Sequence, residues 1–200
     1  MNRSAQLQRR PHESAPYHHG DLARALVKAG SDILAESGVD ALTLRAVTRR
    51  AGVSATAATP HFGNLTGLRS AIAAKGYEAL AIRLNAAKGG NTLEAWIAYI
   101  GFARANSDLF RLMFRRTMLD FSSPALAEGS ARAFSALETL AGQAPGDGSS
   151  PARMAGLWGR VHGLAVLAID GMLMPFLGDD NDEAVMDFLR RALGEGGSAR

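Results

Sequence analysis

Residues 43–62 read TLRAVTRRAGVSATAATPHF, and this stretch decides the fold. Thr43 suits a helix N-cap, because its hydroxyl can accept one of the N–H groups that a first turn leaves without a partner. After it, Leu44, Val47 and Ala51 recur at helical spacing and predict one inward face. Gly52 breaks that helix, Val53 is expected to turn inward, and Ser54 to cap a third helix beginning Ala55-Thr56-Ala57. Two short helices, a glycine turn, a buried residue behind it and a capped second helix are the parts of a helix-turn-helix. A capped helix start aims free N–H groups at a phosphate. Small residues at 55–57 would let that helix sit deep in a major groove, where Thr56 can hydrogen-bond a base and methyl groups pack on thymine. Three packed helices without that role would show the same spacing, so the pattern alone leaves DNA binding open.

Pro60 disturbs the pattern. Its ring clashes with the carbonyl of Thr56, and it disfavours helical geometry at Thr59. A recognition helix that is short or distorted near Thr59 is therefore expected.

Working outward, Leu22, Leu26, Ala29 and Ile33 form the stripe of a first helix, which Gly38 stops. A fourth helix starts near Asn64 and continues through Leu68, Ile72 and Leu80. Lys88-Gly89-Gly90-Asn91 reads as a hinge. Beyond it, Thr92 caps a helix bearing Trp96, Tyr99, Ile100 and Ala103, and another follows Ser107. Pro124 opens a helix to about Ala141, residues 142–150 (GQAPGDGSS) form a loop, and Pro151 begins a long helix past Trp158, His162 and Val166. A last helix covers roughly Asp182 to Leu193. The expectation is an all-α fold of about nine helices: a basic arm at 1–16, a helix-turn-helix domain at 17–85, and a larger helical domain at 86–200.

Composition agrees. Apolar residues make up 47% of the chain and aromatic ones 6%, with alanine and leucine well ahead of valine and isoleucine. The absence of cysteine excludes disulfides, thiolate metal sites and cysteine nucleophiles. The first residues lack the apolar centre of a signal peptide. The apolar stretch from Gly163 to Gly178 is interrupted by Asp170 and Pro175 and is too short to span a bilayer. A cytoplasmic protein with no membrane partner is expected. Residues 1–85 hold 11 basic against 6 acidic side chains, and residues 86–200 hold 11 against 13, so the positive charge gathers at the end that carries the motif.

On the stretch HHGDLARALVKAGSDILAESGVDALTLRAVTRRAGVSATAATPHFGNLTGL, residues about 18–80 resemble the DNA-binding domain of the TetR family, the tetracycline-repressor-like regulators. The order is the family's: a first helix, Gly38, a Thr43-capped helix, Ala51-Gly52-Val53-Ser54, then His61-Phe62 and a fourth helix. Further on, LWGRVHGLAVLAIDG resembles a subgroup whose C-terminal domain carries a tryptophan, histidine and glycine like Trp158, His162 and Gly163, and ARANSDLFRLMF is similar to the matching stretch there. Three positions depart from the family pattern. Thr59 replaces a usual tyrosine and Leu65 a usual lysine, both of which commonly touch phosphate, and Thr48 replaces a smaller alanine where the motif helices cross.

The resemblance implies a transcriptional regulator, a repressor released by a small hydrophobic effector, that binds a near-palindromic double-stranded operator as a homodimer without a cofactor. The DNA-contact candidates are Thr43, Arg45, Ser54, Ala55, Thr56, Ala57, Thr59 and His61. The arm arginines, Arg49 and Arg50 are weaker ones, since positive charge also suits a helix C-terminus or a solvated tail. Most of Trp96, Tyr99, Phe102, Phe110, Met113, Phe114, Phe134, Trp158 and His162 are expected to be core, and the resemblance implies that some of them line an effector cavity, with Tyr99, Arg160 or His162 as orienting polar groups. The resemblance puts dimerisation on the last two helices, about 152–174 and 182–194, where Leu157, Val161, Leu164, Leu167, Ala168, Val185, Phe188 and Leu189 are candidates. No metal site is expected, because adjacent His18 and His19 cannot share a helix face. No enzyme is expected either, since His162 and Asp170 stand eight residues apart on one helix, roughly 12 Å by helical rise. The rival reading is a helical ligand-binding protein whose DNA binding has weakened or been lost.

Overall fold

The stripe at Leu22, Leu26, Ala29 and Ile33 forms the inward side of α1 (His19–Ala41), with Leu26 fully buried. We obtained a computed structural model that describes residues 19–87, 92–140, 151–177 and 181–194. The basic arm, His18, Lys88–Asn91 and the loop at 142–150 lie outside the described residues. Among the described residues there are nine α-helices and no strand: α1, α2 (Leu44–Arg50), α3 (Thr59–Phe62), α4 (Leu65–Ala86), α5 (Thr92–Ala105), α6 (Ser107–Met113), α7 (Pro124–Leu140), α8 (Pro151–Ile169) and α9 (Asp182–Gly194). Gly38, at φ 75°, kinks the end of α1 where the sequence predicts a stop. No described helix is long and apolar enough to cross a membrane.

The centre of the molecule is α4. Its buried residues, among them Leu68, Ile72, Tyr77, Leu80 and Leu84, lie on several sides rather than along one stripe, as expected of a helix covered almost all round. It touches α1 and α3 at one end and α5, α6 and α7 along the rest, and its broadest contact is with α7. Gly129 allows that approach, because a Cβ there would come within 3.1 Å of the Ala74 carbonyl oxygen. Helix α5 lies against α8 and α9, burying Trp96, Tyr99, Ile100 and Phe102. The last long helix is shorter than the sequence suggests: α8 ends at Ile169, Gly171 turns the chain at φ 68°, and a 3-10 turn follows at Met174–Phe176.

Candidate functional site

Helix α2 is built as its sequence requires. Thr43 Oγ1 accepts the Ala46 N–H at 3.1 Å, Val47 is fully buried, and Gly52 turns the chain at φ 70°. Thr48 is buried at the helix crossing, and its hydroxyl donates to the Leu44 carbonyl at 3.0 Å, so the larger side chain leaves no unpaired polar group. Arg50 is a brace: its guanidinium donates two hydrogen bonds of 2.6 Å to Glu36 of α1, and this pairing holds the Glu36 carboxyl below its usual range. Arg45 and Arg49 are exposed and have no ion-pair partner among the described residues.

The recognition segment corrects one expectation. Ser54 does not cap an α-helix beginning at Ala55. Residues 55–58 form three-residue turns, in which the Ala57 N–H donates to Ser54 O at 3.0 Å and the Thr59 N–H to Thr56 O at 3.2 Å. The α-helical part is four residues long, and its N-cap, Ala58, makes no side-chain bond. Pro60 is the cause. It has no N–H to reach the Thr56 carbonyl, which takes the Thr59 amide instead. Ala58 is fully buried and anchors the segment, whereas Ser54, Ala55, Thr56 and Thr59 are exposed and Ala57 and His61 half-buried. Thr43 is exposed as well, so every DNA-contact candidate retains accessible surface.

What seats this segment is absent from the sequence reading. Gly67, in the first turn of α4, lies so near the end of α3 that a Cβ would overlap the Phe62 carbonyl oxygen. Its own N–H donates to Asn64 Oδ1 at 3.0 Å, capping α4. The recognition segment therefore ends directly on α4, the helix that also packs against α5, α6 and α7.

Further along α4, Tyr77 and Leu80 help to line a cavity of about 470 Å³, with Met113, Phe114, Arg116, Phe121, Ser130, Phe134, Leu137 and Trp158. Of the candidate lining residues, Met113, Phe114, Phe134 and Trp158 are there. Trp96, Phe102 and Phe110 are instead packed in the core. Tyr99 and His162 stand behind the wall. The Trp158 indole donates to the Tyr99 hydroxyl at 3.2 Å, and that hydroxyl lies 2.9 Å from His162 Nδ1. The hydroxyl can accept from the indole, and His162 Nδ1 is the one acceptor for its own proton among the described residues, an arrangement that favours a neutral His162 with its proton on Nε2. Burial favours the same state, lowering the His162 pKa from its ordinary value. Arg160 plays no part in the cavity, since it donates to the Ala192 carbonyl of α9. The cationic side chain of the lining is Arg116, next in sequence to Arg115.

The dimer candidates divide. Val161, Val185 and Leu189 are buried in the protomer's own core, facing inward as α8 and α9 close on α5. Leu157, Leu164, Ala168 and Phe188 are half-buried, and Leu167 is 39% exposed beside Val166 at 37%.

A family described as "Bacterial regulatory proteins, tetR family" matches residues 26–72, and one described as "Tetracyclin repressor-like, C-terminal domain" matches residues 93–193. No curated relative matches the chain. Among solved structures, a protein with unknown function from Rhodococcus sp. RHA1 is 29% identical, with a TM-score of 0.64 over 90% of this chain and 99% of that one. A transcriptional regulator from the same organism is 26% identical, with a TM-score of 0.62 over 86% and 94%. A possible TetR family regulator from Streptomyces coelicolor A3(2), 19% identical, shares the fold at a TM-score of 0.63 over 87% and 97%.

Gly67→Ala should cost about 1–3 kcal/mol of stability in urea denaturation, the range for forcing a methyl into a filled site. It should also speed amide exchange across Thr59–Gly63, whereas wild-type exchange there would mean that the seat does not hold the segment. Because the His162 pKa is depressed in the folded state, the unfolded chain takes up its proton first as pH falls below about 6.5. The stability tied to neutral His162 is complete above that pH and is lost as pH drops through the folded value. Melting temperatures taken from pH 7.5 to 5 should therefore fall more steeply for the wild type than for His162→Gln, and parallel curves would refute the assignment.

Proposed function

The chain belongs to the TetR family of bacterial transcriptional regulators, and from that premise we propose that it is a dimeric repressor released from its operator when a small hydrophobic molecule fills the α4–α6–α7–α8 cavity. The observation that carries this reading is α4. The same helix meets the end of the recognition segment at Gly67 and walls the cavity at Tyr77, ten residues or about 15 Å further on. A second link supports it: the Asp120 N–H, in the segment that follows Arg116, donates to the buried Ser70 Oγ of α4 at 2.8 Å. A ligand that prefers a different setting of α4 shifts the population toward recognition segments wrongly spaced for DNA, by as much as its affinities for the two states differ.

The second copy covers α8. Gly156, Gly159 and Gly163 lie at helical spacing with open space where a Cβ would stand, and exposed Val166 and Leu167 continue that face. Small residues on one face let two helices approach closely, and a twofold interface of this kind is self-complementary. Twofold symmetry then requires a near-palindromic operator whose half-sites present successive major grooves about 34 Å apart. Localisation in the cytoplasm, where such DNA is found, accords with this reading.

Departures at the phosphate-contacting positions favour one other reading, a ligand-binding protein with weakened DNA binding. Thr59 and Leu65 lack the groups that commonly hold phosphate in this family, and such losses weaken binding to every sequence alike. One experiment separates the two. Sequences selected from a random DNA pool should be near-palindromic and bound with an affinity that falls steeply with salt. Thr56→Ala and Ala57→Arg should each reduce that affinity at least tenfold while leaving the dimer intact in sedimentation, whereas Leu167→Arg should abolish dimer and DNA binding together. Failure to select any sequence favours the ligand-binding alternative.

A further inference from the structure

The cavity described above has a simple polar inventory. Four of its lining side chains carry an N–H or O–H: Tyr77, Arg116, Ser130 and Trp158. Three of them are already committed. The Tyr77 hydroxyl, buried against the protein, donates to Met113 O at 2.7 Å, the Ser130 hydroxyl to Ala127 O at 3.0 Å, and the Trp158 indole to the Tyr99 hydroxyl. A ligand entering here therefore finds no hydroxyl or indole proton to accept from. What it finds is Arg116.

Arg116 has no ion pair or hydrogen-bond partner for its guanidinium among the described residues. It lies over the Phe121 ring, 4.9 Å from the centroid, a contact that orients the charge without neutralising it. The nearest carboxylate in sequence, Asp120, is engaged elsewhere, its Oδ1 taking both the amide and the hydroxyl of Ser122. No aspartate or glutamate lines the cavity. An apolar, aromatic-walled space with a single cation and no competing anion is suited to one negative charge. The planar guanidinium fork also matches a carboxylate in geometry.

We propose that the effector is an anion, an aromatic or acyl compound carrying one carboxylate, whose apolar body lies against Phe114, Phe134 and Trp158 and whose carboxylate pairs with Arg116. This rests on reading the cavity as the effector site. It also joins the ligand to the switch: Arg116 opens the 3-10 turn at Arg116–Met118, and two residues past its end Asp120 donates to Ser70 of α4. An anion that draws Arg116 into the cavity pulls on that connection, which a neutral apolar ligand leaves alone.

The test uses 2-naphthoate and its uncharged counterpart 2-naphthamide, with binding to the full-length protein followed by tryptophan quenching and calorimetry. Wild-type protein should bind the acid at least tenfold more tightly than the amide. In Arg116→Gln that preference should vanish through loss of affinity for the acid alone, and Arg116→Lys should restore part of it. Equal affinities in the wild type, or an Arg116→Gln variant that weakens both compounds alike, overturn the proposal while leaving the cavity as a binding site. Binding of neither compound overturns the effector-site reading and the proposal with it.

Discussion

The Phe62 carbonyl oxygen occupies the space that a side chain at position 67 would fill, and the architecture depends on that contact. It fixes the end of the recognition segment to the first turn of α4. Asn64 caps the same turn, so the seat and the helix start are one piece of structure. From there α4 runs as a rigid rod of 22 residues, about 33 Å, with apolar residues packed against five other helices. An element buried on so many sides cannot bend freely. When one end is displaced the other must follow, which is what a regulator of this family needs between its ligand and its DNA.

The recognition segment itself is unusual in a physically traceable way. Pro60 removes the amide that would bond to Thr56, and the chain responds with three-residue turns over 55–58 before a single α-helical turn. Those turns still bury Ala58 and expose the residues on either side of it. The charge beside it comes from α2, where Arg45 and Arg49 are free while Arg50 is spent on Glu36. Arg45 and Arg49 thus carry exposed positive charge on α2, which Thr59 and Leu65 do not carry.

Much of the fold was legible because its signals are local. Thr43, Gly52, Pro124 and Pro151 each act on their own turn and mark a boundary where the sequence predicts it, while Gly38 kinks α1 three residues before its end. The start of α3 was not, because the strong local signal at Ser54 is overridden by a missing donor six residues later. Gly67 was invisible for another reason: a glycine inside a helix reads only as a weakness, and its use lies in a tertiary approach that no spacing reveals. The aromatic set was recognised as a group, yet which members line the cavity depends on the rotation of α5 and α6, which places Phe114 at the wall and Phe102 in the core. On α8, Val161 and Leu167 belong to two apolar faces, one turned to α5 and one to solvent. A sequence stripe merges them.

Filling the cavity is proposed to move the recognition segments of a dimer. The chain contains no cysteine, so Arg49→Cys places one spin label per protomer on an exposed, unpartnered position of α2. Pulsed electron double resonance between the two labels measures their separation directly, with and without 2-naphthoate at a concentration that saturates tryptophan quenching. The distance distribution is expected to shift when the cavity is filled. Superimposable distributions at saturation would contradict it.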